Sequence, residues 1–142
     1  CWGENHEHGV LGRGMFGWGV AGVDAVPGLE GVAEACTGMF HSCVRRDDGT
    51  VACWGDNTWG ALGDGTFEDR ASPVNVIGLA NVVDIDCDAE FTCAVLADGG
   101  VRCWGDNRHH QLGDISTTPS NTPVEVFGVL AAVQVTTSRS HA

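Results

Sequence analysis

A chain of 142 residues, 43% of them hydrophobic, is the size of one domain and has the apolar content for a core. With 7 basic residues against 19 acidic ones and a formal net charge of −12, it excludes a nucleic-acid partner, because affinity for a phosphate backbone comes largely from Lys and Arg contacts. No run approaches ~18 apolar residues, which excludes a membrane-spanning helix, and the acidity reads as solubility.

The chain opens on Cys1-Trp2-Gly3-Glu4-Asn5, with Gly9-Val10-Leu11-Gly12 behind it. The run returns as Cys53-Trp54-Gly55-Asp56-Asn57 with Gly60-Ala61-Leu62-Gly63-Asp64-Gly65, and again as Cys103-Trp104-Gly105-Asp106-Asn107 with Gln111-Leu112-Gly113-Asp114. The starts lie 52 and then 50 residues apart, a period that points to a propeller, solenoid or array. The chain reads as one repeat array with units 1–52, 53–102 and 103–142, the last incomplete. A first residue other than Met suggests a processed or excised piece of something longer.

In chain order, Met15-Phe16-Gly17-Trp18-Gly19-Val20-Ala21-Gly22 stands where the later units have polar loops, Thr66–Ser72 and Ser116–Thr122. It reads as a loop packed on a neighbour in preference to an exposed patch for a partner. Val32-Ala33-Glu34-Ala35 is a weak strand that propensity alone would allow to be helical. Its later copies, Val82-Val83-Asp84-Ile85-Asp86 and Val133-Gln134-Val135-Thr136, are more strand-like. Phe91–Leu96, Ala97-Asp98-Gly99 and Gly100–Gly105 read as a hairpin with a type I turn and a bulge. That register sets Val95 against Val101, Ala94 against Arg102 and Cys93 against Cys103. With Asp47-Asp48-Gly49 as the turn, Cys43 likewise falls opposite Cys53. Pro73-Val74-Asn75-Val76 and Pro123-Val124-Glu125-Val126 are short strands opened by Pro. Each unit offers about four short strands and no clear helix, so the fold class is all-β, built of four-stranded antiparallel propeller blades.

Both opposed cysteine pairs fall on non-hydrogen-bonded sites, where Cα atoms lie about 4.5 Å apart, within the roughly 4.4–6.8 Å that a disulfide accepts. The spacing predicts cross-strand disulfides Cys43–Cys53 and Cys93–Cys103 in preference to reduced buried thiols. No C-x-x-C pair is present to favour zinc. Such disulfides imply an extracellular, periplasmic or cell-surface location. Cys36 and Cys87 sit 51 residues apart, close to the period. An inter-unit disulfide is open to them, but two separate buried thiols are the simpler reading.

Cys-Trp-Gly-Asp-Asn, then Leu-Gly-Asp-Gly, then Pro-Val and a Gly-Leu, resembles the regulator of chromosome condensation repeat over nearly the whole chain. His41-Ser42-Cys43 and Phe91-Thr92-Cys93 resemble that family's His-Thr-Cys-Ala-Leu strand. The cysteine-paired form is similar to secreted bacterial members. The resemblance implies a β-propeller, usually of seven blades, so that just under three repeats read as part of a larger ring or as an associating fragment. It implies structural roles for Trp2, Trp54 and Trp104 between blades, for Leu62 and Leu112, and for Gly55, Gly105, Gly63 and Gly113 at loop corners. The chain ends on Ser140-His141-Ala142, aligned with the start of a cysteine strand. The family's exchange-factor and chromatin-binding role fits poorly with an acidic chain that has no basic stripe.

Function is expected in the residues that differ between copies: His6-Glu7-His8, Thr58-Trp59 and Arg108-His109-His110. His6, His8, His109 and His110 are candidate metal ligands, but no third ligand is fixed by spacing, so solvated loop side chains are preferred and no cofactor is expected. Trp59, Arg108 and His109 are the candidates for a protein partner, Trp and Arg being enriched at hot spots. The Asp64–Asp69 run lacks the order of a calcium loop and reads as a polar turn. No nucleophile beside a base is found; Ser42 and His41 are strand neighbours on opposite faces. The expectation is a non-catalytic extracellular protein-binding or structural module. The alternatives are a metal-dependent or carbohydrate-acting propeller enzyme using the loop histidines, and a structural subunit that pairs with copies of itself through open blade edges.

Overall fold

The computed structural model describes residues 1–18, 20–138 and 141. Gly19 of the apolar loop, and Ser140 and Ala142 of the terminal copy, lie outside the described residues. Strands β3 (Val32–Thr37), β4 (His41–Arg46), β5 (Val51–Gly55) and β6 (Arg70–Asn75) form one antiparallel sheet in sequential order. Strands β7 (Val82–Asp88), β8 (Phe91–Leu96), β9 (Val101–Gly105) and β10 (Ser120–Glu125) form a second with the same order. Two short strands, β1 (Gly3–Glu4) and β2 (Val20–Ala21), pair ahead of them as the counterparts of β5 and β6. The sheets thus run over 32–75 and 82–125, out of phase with units counted from the Cys-Trp-Gly motif, which opens on the third strand of each sheet.

The hairpin register is the one the turns dictate. Cys43 faces Cys53 and Cys93 faces Cys103. Gly49 and Gly99 take φ of +76° and +84° at the turn corners, which a side chain would resist. In both hairpins the opposed cysteine Cα atoms are 4.1 Å apart and the sulfurs are bonded. Val32–Thr37 is a strand, its alternation of sides overriding weak propensity once β4 is beside it. Val133–Thr136, expected as a strand, is not one. It runs beside β7, where the amides of Val135 and Thr137 donate to the Asp84 and Asp86 carboxylates at 2.7 and 2.6 Å.

Both faces of each central strand are buried, which explains apolar runs such as Val51-Ala52-Cys53-Trp54. Cys43, Val51 and Cys53 face the second sheet, packing with Val82, Ile85, Cys87 and Trp104. Ala52 and Trp54 face the first unit, packing with Val26. Trp54 and Trp104 therefore each reach back to the unit before their own.

Cys36 and Cys87 form a disulfide between β3 and β7, with Cα atoms 5.4 Å apart, and are not two separate thiols. The reason lies in their odd offset. Cys36 pairs with Cys43, whereas Asp86 is the residue that pairs with Cys93. Cys87 is therefore one step further along its strand, and one step turns a side chain to the other face. Cys36 looks forward and Cys87 looks back at it. At the next seam Asp86 takes the place of Cys36, and its carboxylate accepts from the Thr137 amide and hydroxyl. Cys1 is free and exposed.

The inter-sheet disulfide closes a span of 51 residues and the hairpin disulfides close 10. Loop-closure entropy predicts that urea unfolding of the Cys36→Ala/Cys87→Ala form shows a loss of about 4 kcal/mol, against about 3 kcal/mol for Cys93→Ala/Cys103→Ala. The opposite ranking would contradict this.

Candidate functional site

The loops after the third strands are built on one buried side chain each. Asn57 is fully buried. Its Oδ1 accepts from the Leu62 amide at 3.0 Å, and its Nδ2 donates to Asp64 Oδ1 and to the Thr66 and Glu68 carbonyls at 3.1–3.2 Å. Asn107 repeats this with Leu112, Asp114, Ser116 and Thr118, and Asn5 with Leu11, Met15 and Gly17. One planar amide satisfies both ends of a loop, so the residues between are free to vary. The Asp64–Asp69 run is the polar turn expected: Asp64 accepts from Thr66 and, at 2.9 Å, from Arg70 Nε.

The first loop has one residue more than the second between Asn and Gly, and the extra length carries His8 to the neighbouring sheet's loop. His8 Nδ1 lies 2.7 Å from Asp69 Oδ2 and 3.6 Å from Asp56 Oδ1. The hydrogen bond with Asp69 raises the His8 pKa, burial opposes it, and the Asp56 charge adds to the rise. These three donor atoms all lie within 4.8 Å of one another. His6 instead sets its ring edge-on to Trp18, centroids 4.6 Å apart, while His109 and His110 are exposed on the third loop.

Trp59 and Arg108 come together from adjacent loops, Arg108 Cζ standing 3.9 Å from the Trp59 ring centroid. Arg108 is held there by Asp106, Nε to Oδ1 at 2.9 Å and Nη2 to Oδ2 at 3.1 Å, and by Glu90 at 3.3 Å. Burial alone would raise the Asp106 pKa; hydrogen bonds from Arg108 and Gln111 reverse that and hold it below its usual value. Burial raises Glu90 despite Arg108. The result is a pre-oriented aromatic and guanidinium platform, with a pocket beside it walled by Met39, Ala89, Glu90 and His109. His109 shares this rim, its amide donating to Gln111 Oε1 at 2.8 Å.

Residues 48–95 and 98–142 match the Regulator of chromosome condensation (RCC1) repeat. The chain belongs to the RCC1 repeat family. Among curated proteins it is 33% identical over 84 residues to the RCC1 domain-containing protein RUG3, mitochondrial, of Arabidopsis thaliana. It is 39% identical over 80 residues to the Homo sapiens E3 ubiquitin-protein ligase HERC2. These alignments take in 56% and 55% of this chain but 18% and 2% of those proteins. Among solved structures, human WBSCR16 superposes with a TM-score of 0.74 at 27% identity, over 85% of this chain and 33% of that one. Prp20p from Saccharomyces cerevisiae superposes with a TM-score of 0.71 at 14% identity, over 88% and 33%. The fold is that of RCC1 β-propeller blades.

In this RCC1 chain Trp54 and Trp104 are 2% and 0% exposed, whereas Trp2 is 72% exposed, because the residues that cover each indole come from the unit before it. Leu62 and Leu112 are fully buried, Gly55 and Gly105 both take φ of +111°, and Gly63 and Gly113 turn the loop corners. The apolar loop is not packed away: Met15, Phe16 and Trp18 are exposed, and it lacks the polar side chains that tie the second loop to Arg70 and the third to Asp114. Asp56, Asp106 and Glu90 join the site although they are not among the sequence candidates, and Asp69, read from the sequence as part of a polar turn, pairs with His8. The repeated Asp-Asn dipeptide is the signal that points to Asp56 and Asp106.

His41 is fully buried between the sheets. The Thr92 hydroxyl donates to the Ala61 carbonyl at 3.2 Å, so Thr92 Oγ1 accepts from His41 Nε2 at 2.9 Å. Burial lowers the His41 pKa to about 4. As pH falls from about 6.5 towards about 4, the unfolded chain takes a proton that folded His41 refuses, and stability drops by about 1.4 kcal/mol per pH unit from this group. His8, with its pKa raised, contributes in full below the unfolded value and loses its share at higher pH. Thermal melts should show a shallower acid limb for His41→Gln, which keeps an N–H donor; an unchanged limb would contradict the assignment.

Proposed function

We propose that this RCC1 chain is a non-catalytic protein-binding module, of the cysteine-paired secreted bacterial type, working outside the cell, in a periplasm or at a cell surface. The observation that carries the reading is the Trp59–Arg108 stack. It presents two residue types enriched at binding hot spots, clamped by Asp106 and Glu90, so little side-chain freedom is lost on docking. The three disulfides support an oxidising compartment. The neighbour Prp20p is described as binding Gsp1p and histones, and a second yeast RCC1 structure has Kap60 bound, so the fold serves protein recognition elsewhere. The acidic net charge of this chain favours a partner with a basic patch.

A photo-crosslinking residue placed at Thr58 tests this. The protein should capture a discrete partner from its own cell envelope or medium, and Arg108→Glu should abolish capture while leaving the fold intact by circular dichroism. Capture that is unaffected by Arg108→Glu, or none at all, would overturn the reading.

A second reading, a metal-dependent or carbohydrate-acting enzyme using the loop histidines, has His8, Asp56 and Asp69 in its favour. Calorimetric titration with zinc and manganese, repeated on His8→Ala, separates the two. Stoichiometric binding lost in the variant favours the metal site, and no heat of binding removes it.

A further inference from the structure

Between the two four-stranded sheets the sulfurs are more crowded than two hairpin disulfides require. Cys36 on β3, Cys43 on β4 and Cys53 on β5 stand directly opposite one another across adjacent strands, so all three project from one face of the first sheet. Cys87 meets that row from β7 of the second sheet. The sulfurs of Cys36, Cys43 and Cys87 all lie within 4.8 Å of one another, which makes the Cys36–Cys87 and Cys43–Cys53 bonds neighbours.

The two bonds differ in access. Cys43 and Cys53 are both 0% exposed, whereas Cys36 is half-buried and lines a cavity of about 440 Å³ with Glu34, Asp84, Ile85, Gln134 and Val135. The second sheet supplies a comparison. Its Cys93–Cys103 bond has the same Cα separation of 4.1 Å and the same 0% exposure, but Asp86 stands opposite Cys93 where Cys36 stands opposite Cys43. One hairpin disulfide thus has a second disulfide beside it, and the other has a carboxylate.

We propose that Cys36, Cys87, Cys43 and Cys53 form a thiol–disulfide exchange site whose co-substrate is a dithiol, entering at Cys36–Cys87 and acting through Cys36 on the sealed Cys43–Cys53 bond. In the first step the dithiol breaks the Cys36–Cys87 bond in two displacements and leaves as its own disulfide, its two electrons and two protons passing to Cys36 and Cys87. In the second step the Cys36 thiolate attacks Cys43 Sγ. A Cys36–Cys43 bond forms, the Cys43–Cys53 bond breaks, and the electron pair leaves on Cys53 Sγ, which takes up the proton that Cys36 gave up. No electron enters or leaves in that step. Its outcome is structural: the covalent tie between β3 and β7 is exchanged for one inside the first sheet, and the seam is left to its indole and packing contacts. The site shares no residue with the Trp59–Arg108 platform, so either proposal can fail alone.

Reduction of the folded chain with dithiothreitol, quenched in acid and mapped by alkylation and mass spectrometry, tests this in a Cys1→Ser background, which removes the free thiol as a competing nucleophile. The form reduced by one bond should carry label on Cys53 and Cys87, with Cys36 and Cys43 joined. In the same samples Cys43–Cys53 should be lost about tenfold faster than Cys93–Cys103, because a neighbouring thiolate attacks as an intramolecular group. Cys36→Ala/Cys87→Ala should slow the loss of Cys43–Cys53 to the Cys93–Cys103 rate, the reverse of what a loosened fold would give. The first two readings need only the parent chain. Label confined to Cys36 and Cys87 would overturn the proposal. So would equal loss of the two hairpin bonds in the parent, or faster loss of Cys43–Cys53 in the double variant.

Discussion

Everything in this molecule hangs on a tryptophan N–H that reaches back one repeat to a loop carbonyl. The indole satisfies its only donor at that oxygen and buries both ring faces, and losing such a side chain costs about 3–5 kcal/mol. Three features elsewhere in the repeat exist to permit it. Glycine at the loop corner leaves room for the ring, valine closes the socket floor, and the buried asparagine fixes the loop so that the carbonyl is in place. Ala61 O accepts from both Trp104 Nε1 and Thr92, and Thr92 in turn accepts from His41, so two strands meet at that oxygen and a third joins through the Thr92 hydroxyl.

The first strands of the sheets are joined by other means, and the means differ between seams. A disulfide links β3 to β7, while carboxylates of β7 hold the amides of Val135 and Thr137. The indole seam is thus the common element and the tie between first strands is the variable one. A scaffold held this way tolerates variation in the residues directly after each asparagine, since the asparagine clamps main-chain atoms, and in the later loops an aspartate, further along the loop. That freedom lets one loop carry His8 to a pair of carboxylates and its neighbours carry the Trp59–Arg108 stack.

Much of this was legible in the residues. A period of two, a three-residue turn ending in Gly, and recurrence of the motif set the hairpin register and the two hairpin disulfides, because these depend on local spacing alone. What was not legible depends on how repeats meet. Cys36 and Cys87 read as equivalent positions, yet it is their one-residue mismatch that turns them towards each other. Asn57 read as a loop exit, since nothing along the chain reveals that its amide reaches residues 62, 64, 66 and 68 together. Burial of Trp54 but not Trp2, in the same Cys-Trp-Gly run, follows from the contacts Trp54 makes with the preceding unit rather than from the motif itself. The loop pairs, His8 with Asp69 and Trp59 with Arg108, join side chains from different repeats, and periodicity is silent about such contacts.

Hydrogen exchange at the five indole N–H groups tests the seam most directly, because each tryptophan gives its own resonance. The Trp54 and Trp104 signals should exchange only with opening of the whole fold, while those of Trp2 and Trp18 exchange at near-solvent rates in dilute solution. Fast exchange at Trp54 and Trp104 would show that the indole-to-carbonyl contact does not hold the repeats together.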